Sequence, residues 1–428
     1  MLYLITIYLL LFNLGVNLNY LPNIYDEYRL FEILISFICV FLVFKANITF
    51  SKSTLLIFFI IFVFLIFNLN FFNIFSLQDI LLWMVSFFIF LALLEVDFEE
   101  RKNLHLFLLF VLISVLPVFL IFLSVFNFLY EGKWYGWQFY SGSIRIFDSY
   151  IVPVFWLSLF LFKKNFVIIN KAYVYIILLI FLALLFNGAR SALISIIIPL
   201  SVLWFIDKEN RYFIRNNFFT LGFALFLYKL IYVTRNYIHA NELNANIYRL
   251  STSFRYEIWM FMFEKWKDNP FLGVGGGFLA DIRYQYGSHA HNIWLRLIFE
   301  WGSVGLILVL FFLYQLYLLF NSKIDPVLKM GVFAIIIDAS FSGNFVYPAS
   351  QVSCILFLAL AFSYIKKDFN VNKGLSKALI LLYGLLLFYI VINYFLGDLS
   401  CIGCENIEGR STPFFWENGG SKHLQKSD

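Results

Sequence analysis

Long apolar stretches, separated by short polar segments, recur along nearly the whole chain. Many reach the length of about 17 to 25 residues that an α-helix needs to cross the hydrocarbon core of a bilayer. The runs are continuous rather than alternating, which favours helices over a β-barrel, the other structure that pairs all of its backbone groups in lipid. The pattern predicts thirteen helices, at 2–16, 29–44, 54–70, 79–96, 104–128, 149–163, 171–187, 191–206, 217–233, 293–320, 327–343, 349–365 and 377–396.

Composition agrees with this pattern, because 62% of the 428 residues are hydrophobic and only 13% are charged. A soluble chain is roughly half apolar and a quarter charged. We therefore expect an all-α protein, a polytopic transmembrane helical bundle of 12 or 13 spans. Residues 1–396 would form one membrane domain, with a long loop at 234–292 that contains short helices. The polar segment 397–428 would be a flexible tail.

The net charge of +5 does not indicate nucleic-acid binding, because the cations are spread over short loops where they determine topology. Alternate loops hold sixteen of them: Lys45, Lys52, Arg101, Lys102, Lys163, Lys164, Lys171, Lys208, Arg211, Arg215, Lys323, Lys329, Lys366, Lys367, Lys373 and Lys377. The other short loops hold four: Arg29, Lys133, Arg145 and Arg190. The first set is predicted to be cytoplasmic. Arg145, Arg190 and the loop 234–292 then lie on the outer side of the membrane.

Two histidines stand directly before the apolar helix that begins at position 293, in the segment Ser288-His289-Ala290-His291-Asn292. Imidazole is well suited to proton transfer near neutral pH, so His291 is a candidate general base. A histidine at a helix end is also often a helix cap or a structural hydrogen-bond partner, and that alternative stays open. A metal bound by His289 and His291 would need a third ligand, and no acidic or cysteine residue stands at metal spacing. We therefore predict no metal and no cofactor.

Three arginines share the predicted outer side: Arg190 between the seventh and eighth helices, Arg255 in the long loop and Arg145 before the sixth helix. Each could be a solvated loop charge or could reach the headgroups. Together they are typical of a diphosphate site, because the guanidinium fork bonds two phosphate oxygens at once. The glycine run at 273–277 lacks the Lys-Ser/Thr of a nucleotide-binding loop and predicts tight turns instead.

The polar tail contains a second feature, the CxxC pair Cys401 and Cys404. With thirteen spans this pair would lie outside the cytoplasm, where it could form a disulfide. A redox role is the alternative, although no thioredoxin-like pattern surrounds it.

These motifs resemble the O-antigen ligase and polymerase family of bacterial membrane glycosyltransferases. The family's outer-face motif is His followed by Asn, Ser or Gln, then nine residues, Gly, two residues, and Gly, Thr or Tyr. The matching positions here are His291, Asn292, Gly302 and Gly305. A second family pattern, an arginine with a following Trp and then a Pro-x-x-Gly-x-Gly turn, matches Arg255, Trp259, Pro270, Gly273 and Gly275. The family's arginine at the start of a span matches Arg190, and Arg145 is a looser match. Family members typically have about twelve spans, so the predicted helix 377–396 is a departure.

The resemblance implies metal-independent transfer of a glycan from undecaprenyl diphosphate to an acceptor hydroxyl, at the periplasmic face of the bacterial inner membrane. His291 would be the base, supported by His289 or Asn292, and the three arginines would hold the diphosphate. The acceptor is a lipid A–core sugar for a ligase and another lipid-linked glycan for a polymerase, and we favour the ligase. A transporter or flippase of an anionic lipid-linked glycan is the more remote alternative, since arginines also line anion pathways.

Overall fold

The computed structural model describes residues 1–18, 24–46, 48, 50–68, 74–134, 144–164, 167–240, 254–282, 284–287, 289–365 and 373–398. These residues are helical and contain no strand. The helices are α1 (Leu2–Asn13), α2 (Ile24–Lys45), α3 (Lys52–Asn68), α4 (Ile74–Leu94), α5 (Arg101–Val115), α6 (Ile121–Glu131), α7 (Ile144–Lys163), α8 (Val167–Phe186), α9 (Arg190–Ile206), α10 (Arg211–Ile238), α11 (Arg255–Trp266), α12 (Phe278–Asp281), α13 (Ile293–Asn321), α14 (Pro326–Ala339), α15 (Pro348–Ser363) and α16 (Lys373–Asp398).

The predicted all-α fold is confirmed, and each of the thirteen predicted segments contains a helix. The predicted helix 104–128 is divided by a 3₁₀ turn at Leu116–Leu120, because Pro117 has no backbone N–H to donate in a regular helix. The long loop begins later than predicted, since α10 continues to Ile238. It contains the short helices α11 and α12. The tail from 399 onward, with Cys401 and Cys404, lies outside the described residues.

Within the described part of the chain, six helices are long and apolar enough to cross a membrane: Phe75–Leu94, Arg101–Glu131, Arg145–Lys163, Arg211–Ile238, Ile293–Asn321 and Lys373–Asn393. Five shorter apolar helices accompany them: Leu2–Asn13, Lys52–Ile66, Ala172–Phe186, Arg190–Ile206 and Pro348–Ser363. The chain is therefore a multi-pass membrane protein. The number of spans, the sidedness and the placement of the loop 234–292 in the periplasm stay predictions.

Helices α7, α9 and α14 pack together and have polar contacts at both ends. At one end the Lys163 ammonium donates to Asp207, just after α9, and to Asp325, just before α14, each at 3.1 Å. At the other end Ser149, near the start of α7, donates to Ser342, just after α14, at 3.2 Å. Helices α7 and α9 are thus parallel to each other and antiparallel to α14. The ends that start at Ile144 and Arg190 lie together.

Arg29 differs from its prediction as an outer loop cation, because α2 begins five residues earlier than position 29. The side chain is only 1% exposed and pairs with Glu32 at 2.6 Å. Its guanidinium also donates to the side-chain oxygen of Gln351 at 2.7 Å and to the carbonyl of Val346. A buried arginine needs such partners, since an unpaired charge among apolar side chains is very costly.

Helix α13 is broken at Gly302, whose φ of 52° and ψ of −125° are not helical. The loop that follows α11 fills the break with backbone hydrogen bonds. The N–H groups of Val274 and Gly275 donate to the carbonyls of Phe299 and Glu300 at 2.9 and 3.0 Å, and Ser303 N–H donates to the carbonyl of Phe271 at 2.8 Å. The backbone groups that the break leaves unpaired are satisfied by the loop, as a buried helix interruption requires.

Close backbone approach at this break explains the glycine spacing of the motif. A Cβ atom at Gly305 would lie 1.8 Å from the carbonyl oxygen of Leu297, and one at Gly302 would lie 2.3 Å from that of Phe271. On the loop side, a Cβ at Gly273 would lie 2.3 Å from the carbonyl oxygen of Glu300. Each of these contacts involves backbone, which has little freedom to move. The glycines are therefore a requirement of the break.

Charged side chains also stabilise the junction between the glycine loop and α13. Arg296 pairs with Asp79 of α4 and, at 3.2 Å, with Glu300. Glu300 also accepts from the N–H of Gly277 at 3.2 Å, and Asp79 accepts from the indole N–H of Trp301 at 2.6 Å. Arg296 and Glu300 lie in the N-terminal part of α13, and Asp79 lies in the N-terminal part of α4. They tie the glycine loop to both α4 and α13.

We expect Gly305→Ala to lower the free energy of unfolding by about 1–3 kcal/mol, because the added methyl group collides with a carbonyl at the break. Gly222→Ala is the matched control. A Cβ there meets nothing within 4 Å on α10, so the better helix propensity of Ala should leave stability unchanged or raise it by up to about 1 kcal/mol. The measurement is thermal unfolding of the detergent-solubilised chain, and equal midpoints for the two variants would contradict the role of Gly305.

Candidate functional site

His291 lies at the entrance to α13 in a backbone conformation that side chains rarely adopt, with φ at 52°. Such left-handed residues other than glycine are strained and concentrate at functional sites. The next residue, Asn292, caps the helix, since its side-chain oxygen accepts from the N–H groups of Trp294 and Leu295 at 3.0 Å each. The cap fixes where α13 begins and so where His291 projects. Asn292 therefore acts on the helix and its backbone.

His289 is 3% exposed and contacts His291 directly, with 3.9 Å between the ring centres. Its Nδ1 accepts from the backbone N–H of His291 at 3.3 Å. Its Nε2 lies 3.3 Å from the hydroxyl of Tyr347, which precedes α15. A Cβ at Gly343 would lie 2.8 Å from the His289 ring, so this turn can approach the imidazole only as glycine. The two histidines thus form one packed unit.

A separate apolar cluster supports the histidine segment from the loop side. It consists of Ile258, Met262, Leu279, Ala290 and Phe299. The indole N–H of Trp259 donates to the carbonyl of Ala290 at 2.7 Å, between the two histidines. The loop is consequently a packed element with its own small core, and α11 holds the histidine segment in place.

The three predicted arginines approach the histidines from three elements. Arg145 is in the first turn of α7, Arg190 is the first residue of α9, and Arg255 is the first residue of α11. Arg145 and Arg255 are partly buried, whereas Arg190 is exposed. The charges of Arg145 and Arg190 both act on Arg255, and those of Arg145 and Arg255 act on His291. The structure therefore brings the sequence-predicted residues together at one end of the bundle.

The charges of Arg145 and Arg190 repel that of Arg255. Burial and then the charges of Arg145 and Arg190 lower the pKa of the Arg255 guanidinium. The Nε atom of Arg255 is buried without a hydrogen-bond partner among the described residues. Like charges held close together in a partly dehydrated place attract an anion strongly, because the anion removes their repulsion. The arrangement suits a phosphate or diphosphate.

Both histidines are held neutral at neutral pH. Burial, followed by the charge of Arg255, lowers the pKa of His289 to about 4. The pKa of His291 lies well below its ordinary value of 6.5, first through burial and then through His289, Arg255 and Arg145. A neutral imidazole can accept a proton, whereas an imidazolium cannot.

Sequence analysis missed three residues of this region: Asp148, Asp338 and Tyr347. Asp148 accepts from the side-chain amide of Asn187 at 2.6 Å, just before Arg190, and Asp338 accepts from Ser342 at 2.8 Å. One carboxylate oxygen of each aspartate is buried without a partner among the described residues. Both aspartates stand in apolar helices, where a charge is costly and indicates function. That signal was present in the sequence.

Metal ligation was also considered. Among the residues that the structure describes, three or more His, Cys, Asp or Glu side chains do not come together as metal ligands. The expectation that the chemistry needs no metal or cofactor stays a prediction.

Comparison with known families gives one result. A family model described as O-Antigen ligase matches residues 175–310, a segment that contains Arg190, Arg255, His289, His291 and the glycine pair of the break. The resemblance predicted from the motifs is thereby confirmed for this segment. The match supports a membrane glycosyltransferase of the O-antigen ligase or polymerase type, which implies lipid-linked glycan substrates. No curated protein matches the chain.

We expect the stability of the fold to decrease as the pH falls from 6.5 towards 4. In that window unfolded His289 binds a proton that the folded, buried ring does not, so protonation favours the unfolded state. Above 6.5 the full stability is present. His289→Gln should reduce this slope and leave the contribution of His291, whereas His105→Gln, at an exposed position on α5, should keep the whole slope. The measurement is the thermal unfolding midpoint across this pH range. An unchanged slope of midpoint against pH in His289→Gln would contradict a neutral, buried His289 ring.

Proposed function

We propose that this protein transfers an O-antigen-type glycan from undecaprenyl diphosphate to a sugar hydroxyl of lipid A–core, at the periplasmic face of the bacterial inner membrane. The single observation that carries the proposal is the convergence of a neutral imidazole and three guanidinium groups at one end of the bundle. The family match over residues 175–310 supports the same type of enzyme.

His291 is the proposed general base. The acceptor hydroxyl oxygen attacks the anomeric carbon, its proton passes to the imidazole, and the bond between that carbon and the diphosphate oxygen breaks. Direct attack from the opposite face inverts the configuration. Burial is the largest cause that lowers the pKa of His291, and the charges of Arg255 and Arg145 add to it. A bound diphosphate offsets those charges and raises the pKa of His291, so the base becomes effective when the donor is in place.

Arg190, Arg255 and Arg145 are proposed to hold the diphosphate and stabilise the charge that grows on it as it leaves. Pre-arranged cations in a partly dehydrated site stabilise such charge without reorganisation. The unpaired Nε of Arg255 is an available donor for a phosphate oxygen. Three arginines supply the counter-charge that a divalent ion gives in other enzymes, so we propose metal-independent transfer.

The polymerase reaction is the alternative, because it uses the same donor and differs only in the acceptor. A transporter or flippase is less consistent with the structure. Five of the ionisable side chains that are buried within the helices, Arg29, Glu32, Asp79, Arg296 and Glu300, form ion pairs with one another. They also bind the glycine loop and the segment before α15, which favours a structural role over the lining of a pathway.

We expect His291→Asn to reduce transfer by about 10² to 10⁴, the usual contribution of a general base. Asparagine is chosen because it tolerates the left-handed backbone better than alanine. The assay uses the purified chain with lipid-linked glycan and lipid A–core in EDTA, where the wild type should remain active.

His239→Asn is the control, since this histidine contacts the carbonyl of Leu129 at 3.1 Å at the end of α10. If the His291→Asn variant inserts into the membrane and transfers glycan near the wild-type rate, His291 is not the general base. Glycan recovered on lipid A–core identifies a ligase, and longer lipid-linked chains identify a polymerase. Loss of wild-type activity in EDTA, restored by a divalent ion, would favour a metal enzyme.

Arg190→Lys should weaken binding of the lipid diphosphate and lower kcat/KM at least about ten-fold, because lysine keeps the charge but loses the two-point fork. Arg211→Lys is matched to it, as Arg211 also begins a helix, donates to the carbonyl of Trp204 at 3.0 Å and lies over the Trp204 ring. Binding of polyprenyl diphosphate is measured alongside turnover. Equal affinities for Arg190→Lys and the wild type would argue against bidentate contact.

A further inference from the structure

We propose that Tyr347 is a positioning residue that holds the ring of His289 in place and, through His289, holds the backbone of His291. The inference rests on the proposed function of His291 as the base and adds a residue that the motif does not contain. It starts from two contacts of the His289 ring, one with the Tyr347 hydroxyl and one with the backbone N–H of His291.

The backbone contact decides which nitrogen of His289 carries the proton. Since the His291 N–H donates to Nδ1 at 3.3 Å, Nδ1 must be the unprotonated nitrogen. A neutral imidazole then carries its proton on Nε2. That N–H points to the hydroxyl of Tyr347, 3.3 Å away, and the phenol oxygen is the acceptor. The tautomer thus follows from the His291 N–H, and the Tyr347 hydroxyl is the partner of the remaining ring nitrogen.

Tyr347 is held as a neutral acceptor. It is 3% exposed, and burial is the largest cause that raises its pKa to about 12, so the phenol keeps its proton at neutral pH. Its ring stands edge-on to that of His289, with 5.7 Å between centres and 84° between planes. The Val346 carbonyl next to it is bound by buried Arg29. The hydroxyl is therefore fixed in position as well as in charge.

The tautomer of His289 affects His291, whose backbone is strained. His291 has a φ of 52°, and its own N–H is the donor to His289. If His289 turned to the other tautomer, an N–H of the ring would face the N–H of His291 and this contact would become repulsive. The left-handed backbone of His291 would lose one of the contacts that hold it. The His291 N–H disfavours that change, and the Tyr347 hydroxyl, which accepts from Nε2, keeps the ring in the orientation that makes the contact.

The test is Tyr347→Phe in the full-length chain, which keeps the ring and removes the hydroxyl. Two measurements are made: the ¹⁵N spectrum of histidine-labelled protein, with the His289 signal assigned by its loss in His289→Gln, and the steady-state kinetics. In the wild type we expect His289 as the Nε2–H tautomer. In Tyr347→Phe we expect a shifted Nε2 signal, because the hydrogen-bond partner of Nε2 is lost, a kcat lower by about ten-fold or more and a donor KM within about two-fold of wild type.

Tyr173→Phe is the matched control. Tyr173 is also 3% exposed, and its hydroxyl donates to Asn217 at 2.7 Å between α8 and α10. It should leave both the His289 spectrum and kcat unchanged. A loss of kcat in both variants would indicate a general effect on packing and overturn the assignment.

Other outcomes also decide. A wild-type His289 signal from the Nδ1–H tautomer overturns the inference without any variant. A raised donor KM with unchanged kcat in Tyr347→Phe means that Tyr347 contacts the donor, which overturns the positioning role. The spectrum does not depend on turnover. Absence of transfer in the wild type, with the expected spectrum, would therefore sink the proposed function and leave the tautomer assignment intact.

Discussion

The interrupted helix α13 is the constraint on which the rest of the site depends. Its carbonyls at Phe299 and Glu300 cannot bond within the helix past Gly302, so the glycine loop supplies the N–H groups instead. This pairing fixes the loop on the bundle, and the loop includes the chain that connects α11 to the histidines. An element that would otherwise be a long surface connection becomes a packed part of the fold, with its own apolar cluster under His289 and His291.

Buried ions determine how that junction is attached. Arg296, Asp79 and Glu300 are each no more than 4% exposed, and a charge placed there alone would be strongly unfavourable. Paired, they join α4 to α13 and hold the N–H of Gly277. Arg29 does the same for the segment that ends in Tyr347. One group binds the segment of Tyr347 and the other binds the glycine loop, so buried charge supports the elements around the candidate site.

The site itself is an electrostatic compromise. Burial, followed by neighbouring groups that include Arg255 and Arg145, lowers the pKa of His291, while Asp148 and Asp338 anchor the turns around Arg190 and Ser342. The charges of Arg145 and Arg190 repel that of Arg255, which is energetically unfavourable. The packing of α7, α9 and α14 offsets this unfavourable energy. The far ends of these helices are fixed by Lys163, which lies between Asp207 and Asp325.

The sequence by itself determined the helices, because apolar runs of this length have few alternatives in lipid. Its motif also indicated His291 and the three arginines. It could not place Arg29, whose neighbours Gln351 and Val346 are more than three hundred positions away. Nor could it find Tyr347, which meets His289 only because α15 packs against α4 and α7. Spacing along one helix is local and can be read from the chain, whereas contacts between distant helices depend on how the bundle packs, and only the tertiary structure decided them.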